Sequence, residues 1–255
     1  MTLPAPADEE TLFGDFFVNV SYVTKAFTFG EGTPAERTLS LAVSSAACTD
    51  FDLTGQLDWP GARLMCMWLA TQPDSLFAST ACELGAGTGL AGLYWAARGG
   101  RCVLTDHHPV VLSLLARNAA AFPSASVASL PWGDAAAAAA LLNTQLQPPS
   151  QCNARCELSP PLVRGFPVLL LADVVYPGSQ ACLPLLMTSV TTLLRRDGVA
   201  FLCYCSRSGV TDAALAAAIS DAGLTSCVAD RGEAAREGGV NGTVYELRRA
   251  TSTTL

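Results

Sequence analysis

A run of glycines stands near an acidic residue in the middle of the chain, where one apolar stretch ends. Residues 83–92 read ELGAGTGLAG, and glycines at such a point let the backbone adopt positive φ and approach a ligand closely. Glu83 comes directly before this loop, and Asp106 follows the next apolar stretch, RCVLT. The pattern predicts a strand, a glycine loop and a helix whose first N–H groups are available to a polar ligand.

Two cofactors that contain adenosine are compatible with this loop. Gly87, Gly89 and Gly92 satisfy the G-x-G-x-x-G pattern of dinucleotide sites, in which an acidic residue such as Asp106 follows after about twenty residues. Sites for S-adenosylmethionine instead place acids at the ends of the first two strands, which Glu83 and Asp106 would provide. Because a carboxylate beside a pyrophosphate would repel it, Glu83 favours S-adenosylmethionine. A third interpretation is a turn that serves only helix–strand packing.

The elements around the loop alternate between strand and helix patterns, which is typical of an open, doubly wound, mostly parallel α/β sheet. FPVLLLAD (166–173) is continuously apolar, as expected of a central strand that is covered on both faces. Helix patterns occur at 134–146, before this strand, and at 183–196 and 211–222, after it. TVYELRR (243–249) is the last predicted strand.

The chain divides into an extension and one main domain. Strand-like stretches at 16–28 and 37–43 predict a short N-terminal β extension over residues 1–50. The site motifs fall in a domain over 51–250, which contains a Pro/Ser/Cys-rich loop insertion at 147–165.

The two histidines and ten cysteines do not indicate a metal site. His107 and His108 are adjacent at the start of a predicted helix, so they do not face one another, and we expect them at the rim of a pocket. Cys152 and Cys156 could begin a zinc site, but no second pair follows at a matching spacing. We therefore expect no metal.

The composition favours some partners over others. The chain has 255 residues and a net charge of −7, which disfavours binding to a phosphate backbone. No apolar run is long enough to span a bilayer, and the acidic start lacks the features of a secretory signal. We expect the protein to be a cytoplasmic monomer. We expect neither a membrane nor a nucleic acid to be its partner.

Residues 54–205 resemble the class I methyltransferase fold and, more narrowly, the protein-lysine methyltransferases. Four motifs occur in the order of that family: TGQLDWPGA (54–62), ELGAGTGLAG (83–92), LPWGD (130–134) and LLADVVYP (170–177) with an Asp-x-x-Tyr signature. The resemblance implies a Rossmann-like sheet with an antiparallel edge strand, for which TVYELRR is the candidate.

The resemblance also implies roles at the matching positions. Trp59 would line the pocket near the methionine end of the cofactor, and Glu83 would face its amino group. Asp106 would hold the ribose hydroxyls, and Trp132 would flank the adenine. The implied cofactor-binding residues are Trp59, Glu83, Gly85, Ala86, Gly87, Asp106, Trp132 and Ala172. Asp173 and Tyr176 would form the methyl-transfer end and are the implied catalytic residues.

The working hypothesis is S-adenosylmethionine-dependent methylation of a lysine side chain in a protein substrate. One alternative is a methyltransferase for a small molecule or RNA, although DVVY (173–176) replaces the Asn/Asp-Pro-Pro-Tyr/Phe signature of enzymes that methylate nucleic-acid amino groups. The others are a scaffold that kept the fold without activity, and a nicotinamide oxidoreductase.

Overall fold

The computed structural model describes residues 21–45, 51–145, 164–231, 233–234 and 240–250. The first part of the strand predicted at 16–28, most of the insertion predicted at 147–165, and the cysteine pair Cys152 and Cys156 lie outside these residues.

The described chain begins with a hairpin and then alternates strands with helices. The strands are β1 (Tyr22–Phe29), β2 (Arg37–Ser44), β3 (Thr80–Leu84), β4 (Arg101–Asp106), β5 (Ala125–Ser129), β6 (Phe166–Ala172), β7 (Leu194–Cys205), β8 (Leu224–Asp230), β9 (Glu233–Ala234) and β10 (Val240–Arg249). The helices are α1 (Pro60–Ala70), α2 (Asp74–Phe77), α3 (Leu90–Ala97), α4 (Pro109–Ala119), α5 (Ala135–Gln145), α6 (Leu183–Leu193) and α7 (Gly209–Asp221). Short 3-10 turns cover Phe51–Gln56 and Gln180–Cys182.

The main sheet has the order β5-β4-β3-β6-β7-β10-β8 within the described ranges, and β9 pairs with β10 beside it. Strands β3 to β7 pair in parallel, whereas β10 is antiparallel to both β7 and β8. The predicted doubly wound α/β fold is thus confirmed. The predicted edge position of TVYELRR is wrong, because β10 lies one place inside the edge and β8 forms the edge.

Helices cover both faces of the sheet, and β6 shows how the two layers divide. Val168 and Leu170 belong to the hydrophobic cluster that contains α1, α3 and the hairpin, while Leu169 and Leu171 belong to the cluster under α6 and α7. All four side chains are nearly fully buried. The continuously apolar sequence of this strand therefore follows from its having no solvent face.

One helix boundary and one strand differ from the sequence prediction. The helix expected to reach residue 196 ends at Leu193, because Leu194 pairs with Phe166 of β6 and starts β7. Strand β8 was not predicted; beyond Leu224 it exposes residues on both faces, so its sequence carries no alternating pattern.

The predicted N-terminal β extension is a separate antiparallel hairpin of β1 and β2. Asn118 of α4 is buried against it and makes three hydrogen bonds. Its Oδ1 accepts from the N–H of Ala42 at 2.8 Å, and its Nδ2 donates to the carbonyl oxygens of Ala42 at 3.0 Å and Thr88 at 2.9 Å. One amide thus joins the hairpin, α4 and the glycine loop.

No helix in the described ranges is long and apolar enough to cross a bilayer.

We expect Asn118→Ala to lower the free energy of unfolding by about 2–4 kcal/mol, because it leaves buried backbone groups of Ala42 and Thr88 without partners. Urea denaturation measures this change. Asn143→Ala, at an exposed position of α5, is the matched control and should change stability by less than about 0.5 kcal/mol. Equal effects of the two substitutions would contradict the anchoring role of Asn118.

Candidate functional site

A cavity of about 260 Å³ opens at the carboxyl ends of β3, β4 and β6. Of the ten site residues that the sequence predicted, nine line it: Trp59, Gly85, Ala86, Gly87, Asp106, Trp132, Ala172, Asp173 and Tyr176. The tenth, Glu83, does not. Further lining residues that the sequence analysis did not name as site residues include Thr54, Gly55, Leu57, Thr88 and Arg207. The structure thus brings together six segments that are far apart in sequence.

The glycine loop turns tightly because three of its residues have left-handed backbone angles, with φ of 65° at Gly85, 54° at Gly87 and 86° at Gly89. A Cβ at Gly87 would lie 2.8 Å from the carbonyl oxygen of Gly55, so only glycine fits against the opposite segment. Ala86 between them donates its N–H to the carbonyl oxygen of Thr105 on β4 at 2.8 Å. This bond fixes the loop over the end of the neighbouring strand.

Asp106 ends β4 and is held by backbone donors. Its Oδ2 accepts from the N–H of Gly87 at 3.0 Å, and its Oδ1 accepts from the N–H of His107 at 2.8 Å. Each carboxylate oxygen can accept more than one hydrogen bond, so these contacts orient the group and leave capacity for a ligand. The cavity wall therefore carries a fixed acceptor for hydroxyl groups.

The two histidines have different positions. His107 lies on the cavity wall with its side chain about half exposed. His108 is the N-cap of α4, and its Nδ1 accepts from the N–H of Val110 at 3.2 Å. No group of three possible metal-binding side chains occurs among the described residues.

The aromatic walls are Trp59 and Trp132, and neither is fully buried. The indole Nε1 of Trp59 donates to the carbonyl oxygen of Thr54 at 2.9 Å, which ties this side chain to its own loop. The turn after Trp132 is held by a bond from the N–H of Gly133 to the Ser189 hydroxyl at 2.8 Å. Both rings therefore line the cavity, and Trp132 also packs against the hydrophobic cluster under α6 and α7.

Glu83 does not have the expected position. Its side chain is buried on the same side of β3 as Ala81, under α3, and its Oε2 accepts from the N–H of Gly92 at 2.8 Å. The N-cap residue of α3 is Gly89, which has no side chain to bind the first N–H groups of the helix, and Glu83 supplies that acceptor. The implied contact of Glu83 with the amino group of the cofactor is therefore corrected to a capping contact.

Burial raises the pKa of the Glu83 carboxyl from its ordinary value of 4.5 to about 8, although the Gly92 hydrogen bond opposes the rise. The group is then largely protonated near neutral pH. The repulsion that the sequence analysis expected between Glu83 and a pyrophosphate does not apply, because the carboxyl group is turned away from the cavity and is largely uncharged.

Asp173 follows β6 directly and adopts φ of 57°, the one described residue other than glycine with positive φ. Its side chain is fully buried. Its Oδ2 accepts from the N–H of Gly61 at 3.1 Å, and a Cβ at Gly61 would lie 2.6 Å from that of Asp173. The start of α1 and the end of β6 therefore meet at a contact that has no room for a larger residue at 61.

Arg207, which is not among the residues predicted from sequence, forms a two-pronged ion pair with Asp173. Its Nη1 donates to Oδ1 and its Nη2 to Oδ2, both at 2.8 Å. The hydrogen bond with Asp173 raises the pKa of the guanidinium further. The available signal was the position of Arg207 just after β7, since residues that follow parallel strands gather at one edge of the sheet.

Comparison with known proteins agrees with this geometry. A family model described as lysine methyltransferase matches residues 48–146. Protein N-lysine methyltransferase METTL21A of Danio rerio is 28% identical over 149 residues, which are 56% of this chain and 57% of that protein. The chain thus matches a little over half the length of this curated relative.

Among solved structures, fibrillarin of Aeropyrum pernix with bound S-adenosyl-L-methionine is similar in fold. The TM-score is 0.50 at 15% sequence identity, with 73% of this chain and 76% of that chain covered. The protein therefore has the class I methyltransferase fold. Part of the chain, including residues 48–146, is also similar in sequence to lysine methyltransferases. The Asp-x-x-Tyr segment at 173–176 lies beyond the family match.

We expect Glu83→Gln to remove a pH dependence of stability. In the wild type, the folded carboxyl binds its proton more tightly than the unfolded one, so its contribution is complete below about pH 4.5 and is lost as the pH rises through about 8. The variant should therefore gain stability relative to wild type, by a few kcal/mol, as the pH rises across this window. Denaturation at several pH values measures the difference, and a constant difference would contradict the buried acid.

Proposed function

We propose that this chain binds S-adenosylmethionine in the described cavity and methylates a lysine side chain of a protein substrate. The observation that carries the proposal is the meeting of the glycine loop, Asp106 and Asp173 in one cavity of a chain that matches lysine methyltransferases. The family match supports both the cofactor and the acceptor.

The lining residues suit the parts of this cofactor. Asp106 would accept hydrogen bonds from the ribose hydroxyls, and Trp132 would lie against the adenine. Trp59 would lie beside the methionine part. Gly85 belongs to the same wall: a Cβ there would lie 2.9 Å from Cγ1 of Val174 and 3.1 Å from the Trp132 ring, so the absence of a side chain keeps this wall open. The backbone of Gly85, Ala86 and Gly87 completes the proposed site.

When bound, S-adenosylmethionine would supply a methyl group that passes to the lone pair of a lysine nitrogen, while its sulfonium becomes a neutral thioether. A lysine ammonium must lose a proton before it has that lone pair. The chain contributes chiefly by holding the acceptor in line with the methyl group, which alone accounts for several kcal/mol of the barrier.

Asp173 and Tyr176 lie on the cavity wall and form the proposed methyl-transfer end. Since both oxygens of Asp173 are bound by Arg207, and one also by the N–H of Gly61, this carboxylate has no free exposed oxygen to remove a proton in the described arrangement. We therefore propose that it orients charge at this end and that the proton leaves to water. We propose that Tyr176 lies beside the path of the acceptor nitrogen.

The acidic balance of the chain suits a cationic acceptor more than a nucleic acid. We further propose that the protein acts as a monomer in the cytoplasm. A small-molecule or RNA acceptor, or a scaffold without activity, is an outcome that the following experiment separates from protein lysine methylation.

The test is transfer of label from methyl-labelled S-adenosylmethionine to an extract of unmethylated proteins, followed by hydrolysis and amino-acid analysis. We expect labelled methyl-lysine. The chain has a single lysine, Lys25, so Lys25→Arg removes any label that the enzyme places on lysine of its own chain. Label only in RNA or small molecules, or no transfer with an intact cofactor site, would contradict the proposed function.

We expect Asp106→Ala to weaken cofactor binding by about tenfold or more, because the hydroxyl-binding carboxylate is removed from a largely desolvated wall. Equilibrium dialysis with labelled S-adenosylmethionine measures the dissociation constant. Asp221→Ala, at the exposed end of α7, is the charge-matched control and should leave it unchanged. An Asp106→Ala variant with wild-type affinity would exclude the proposed ribose contact.

Tyr176→Phe keeps the ring and removes the hydroxyl group. If Tyr176 acts at the methyl-transfer end, kcat should fall by about tenfold while the dissociation constant of the cofactor changes little, as expected when an interaction of the transition state is lost. Steady-state kinetics on the substrate found with labelled cofactor, together with dialysis, would measure both. A change confined to cofactor binding would move Tyr176 out of the acceptor path.

A further inference from the structure

Arg207 makes two kinds of contact in the cavity. Its guanidinium forms the two-pronged ion pair with Asp173, and its Cζ lies 5.4 Å from the ring centroid of Trp59. The first contact is a salt bridge to a carboxylate, and the second is a cation–π contact with an aromatic face. All three residues line the same cavity.

These are also the two contacts that would stabilise a lysine ammonium at the methyl-transfer end. A cation that enters this part of the cavity finds one buried carboxylate, that of Asp173, and one tryptophan face, that of Trp59. Arg207 already binds the carboxylate of Asp173 and lies against the ring of Trp59. Because the carboxylate also accepts from the N–H of Gly61 and its side chain is fully buried, it has no exposed surface for a second cation while Arg207 is in place.

We propose that Arg207 is an internal occupant of the acceptor site, which a lysine side chain must displace before it can reach Asp173. The proposal rests on the proposed function, in which the acceptor is a cationic side chain. Arg207 is thereby a specificity-determining residue: a free alkylammonium ion competes poorly with a guanidinium that is tethered to the fold and bound by two hydrogen bonds.

The fold allows the side chain of Arg207 to be displaced. About 24% of its side chain is exposed, and it lies between the end of β7 at Cys205 and the start of α7 at Gly209, outside any regular element. The guanidinium can therefore turn into water without unfolding a helix or strand. A lysine presented by a docked protein would gain the binding energy of the whole interface for this exchange, whereas a short peptide would not.

The experiment measures the affinity of n-butylammonium, a lysine side chain without its backbone, by ligand-observed NMR on the full chain. Titrations are made with and without S-adenosylhomocysteine, so that the result for Arg207 does not depend on cofactor binding. The proteins are the wild type, Arg207→Gln, and the double variant Asp173→Asn with Arg207→Gln. Glutamine keeps a hydrogen-bond donor near Asp173 but removes the competing charge.

Arg63→Gln is the matched control. Arg63 pairs with Asp58 next to the cavity, and its side chain has the same exposed fraction as that of Arg207, 24%. It does not line the cavity. The neutral probe 1-butanol serves as the control for apolar binding.

We expect Arg207→Gln to bind n-butylammonium at least about tenfold more tightly than wild type, because the competent form of the site is no longer masked. Arg63→Gln should match wild type, the double variant should lose the gain, and 1-butanol should show none. If Arg207→Gln does not fold, Arg207→Lys, which lacks the planar fork that matches both carboxylate oxygens, should show a smaller gain.

A folded Arg207→Gln or Arg207→Lys variant without any gain would overturn the inference, and so would an equal gain in Arg63→Gln or in the double variant. Failure of the proposed function would look different. In that case the wild-type protein would not bind S-adenosylhomocysteine or would not methylate lysine, whatever its affinity for n-butylammonium.

Discussion

The parallel pairing of the central strands is the constraint on which the site depends. Parallel strands end at the same edge of a sheet, so residues after β3, β4, β6 and β7 must meet there. The glycine loop, Asp106, Asp173 and Arg207 come from these four strand ends. Residues far apart in sequence therefore form one cavity without any long-range motif in the chain.

The predicted site residues that line the cavity are those with a local signal in the sequence. A glycine loop between a strand and a helix needs only positive φ and a close backbone approach, and both are visible in the residue types at Gly85 and Gly87. Asp106 was predicted because a polar residue directly after an apolar strand lies at the ligand-binding edge. The continuously apolar β6 likewise indicated a central strand that is covered on both faces.

The remaining features depend on contacts that no local pattern encodes. Glu83 was expected to face the cofactor, but the N-terminus of α3 lacks a capping side chain at Gly89 and takes the carboxyl group instead. The pairing of Asp173 with Arg207 joins residues separated by 34 positions. The place of β10 inside the sheet follows from pairing with β8, whose exposed sequence gives no strand signal. Each outcome was decided by tertiary structure.

The most direct measurement is a calorimetric titration of the purified chain with S-adenosylhomocysteine, with NAD as a parallel ligand. We expect S-adenosylhomocysteine to bind at one site and NAD to show no binding. Since Glu83 does not face the cavity, this discrimination has to come from the rest of the wall, including Asp106, Trp59 and Trp132. Binding of NAD, or of neither ligand, would contradict the assignment of the cavity to S-adenosylmethionine.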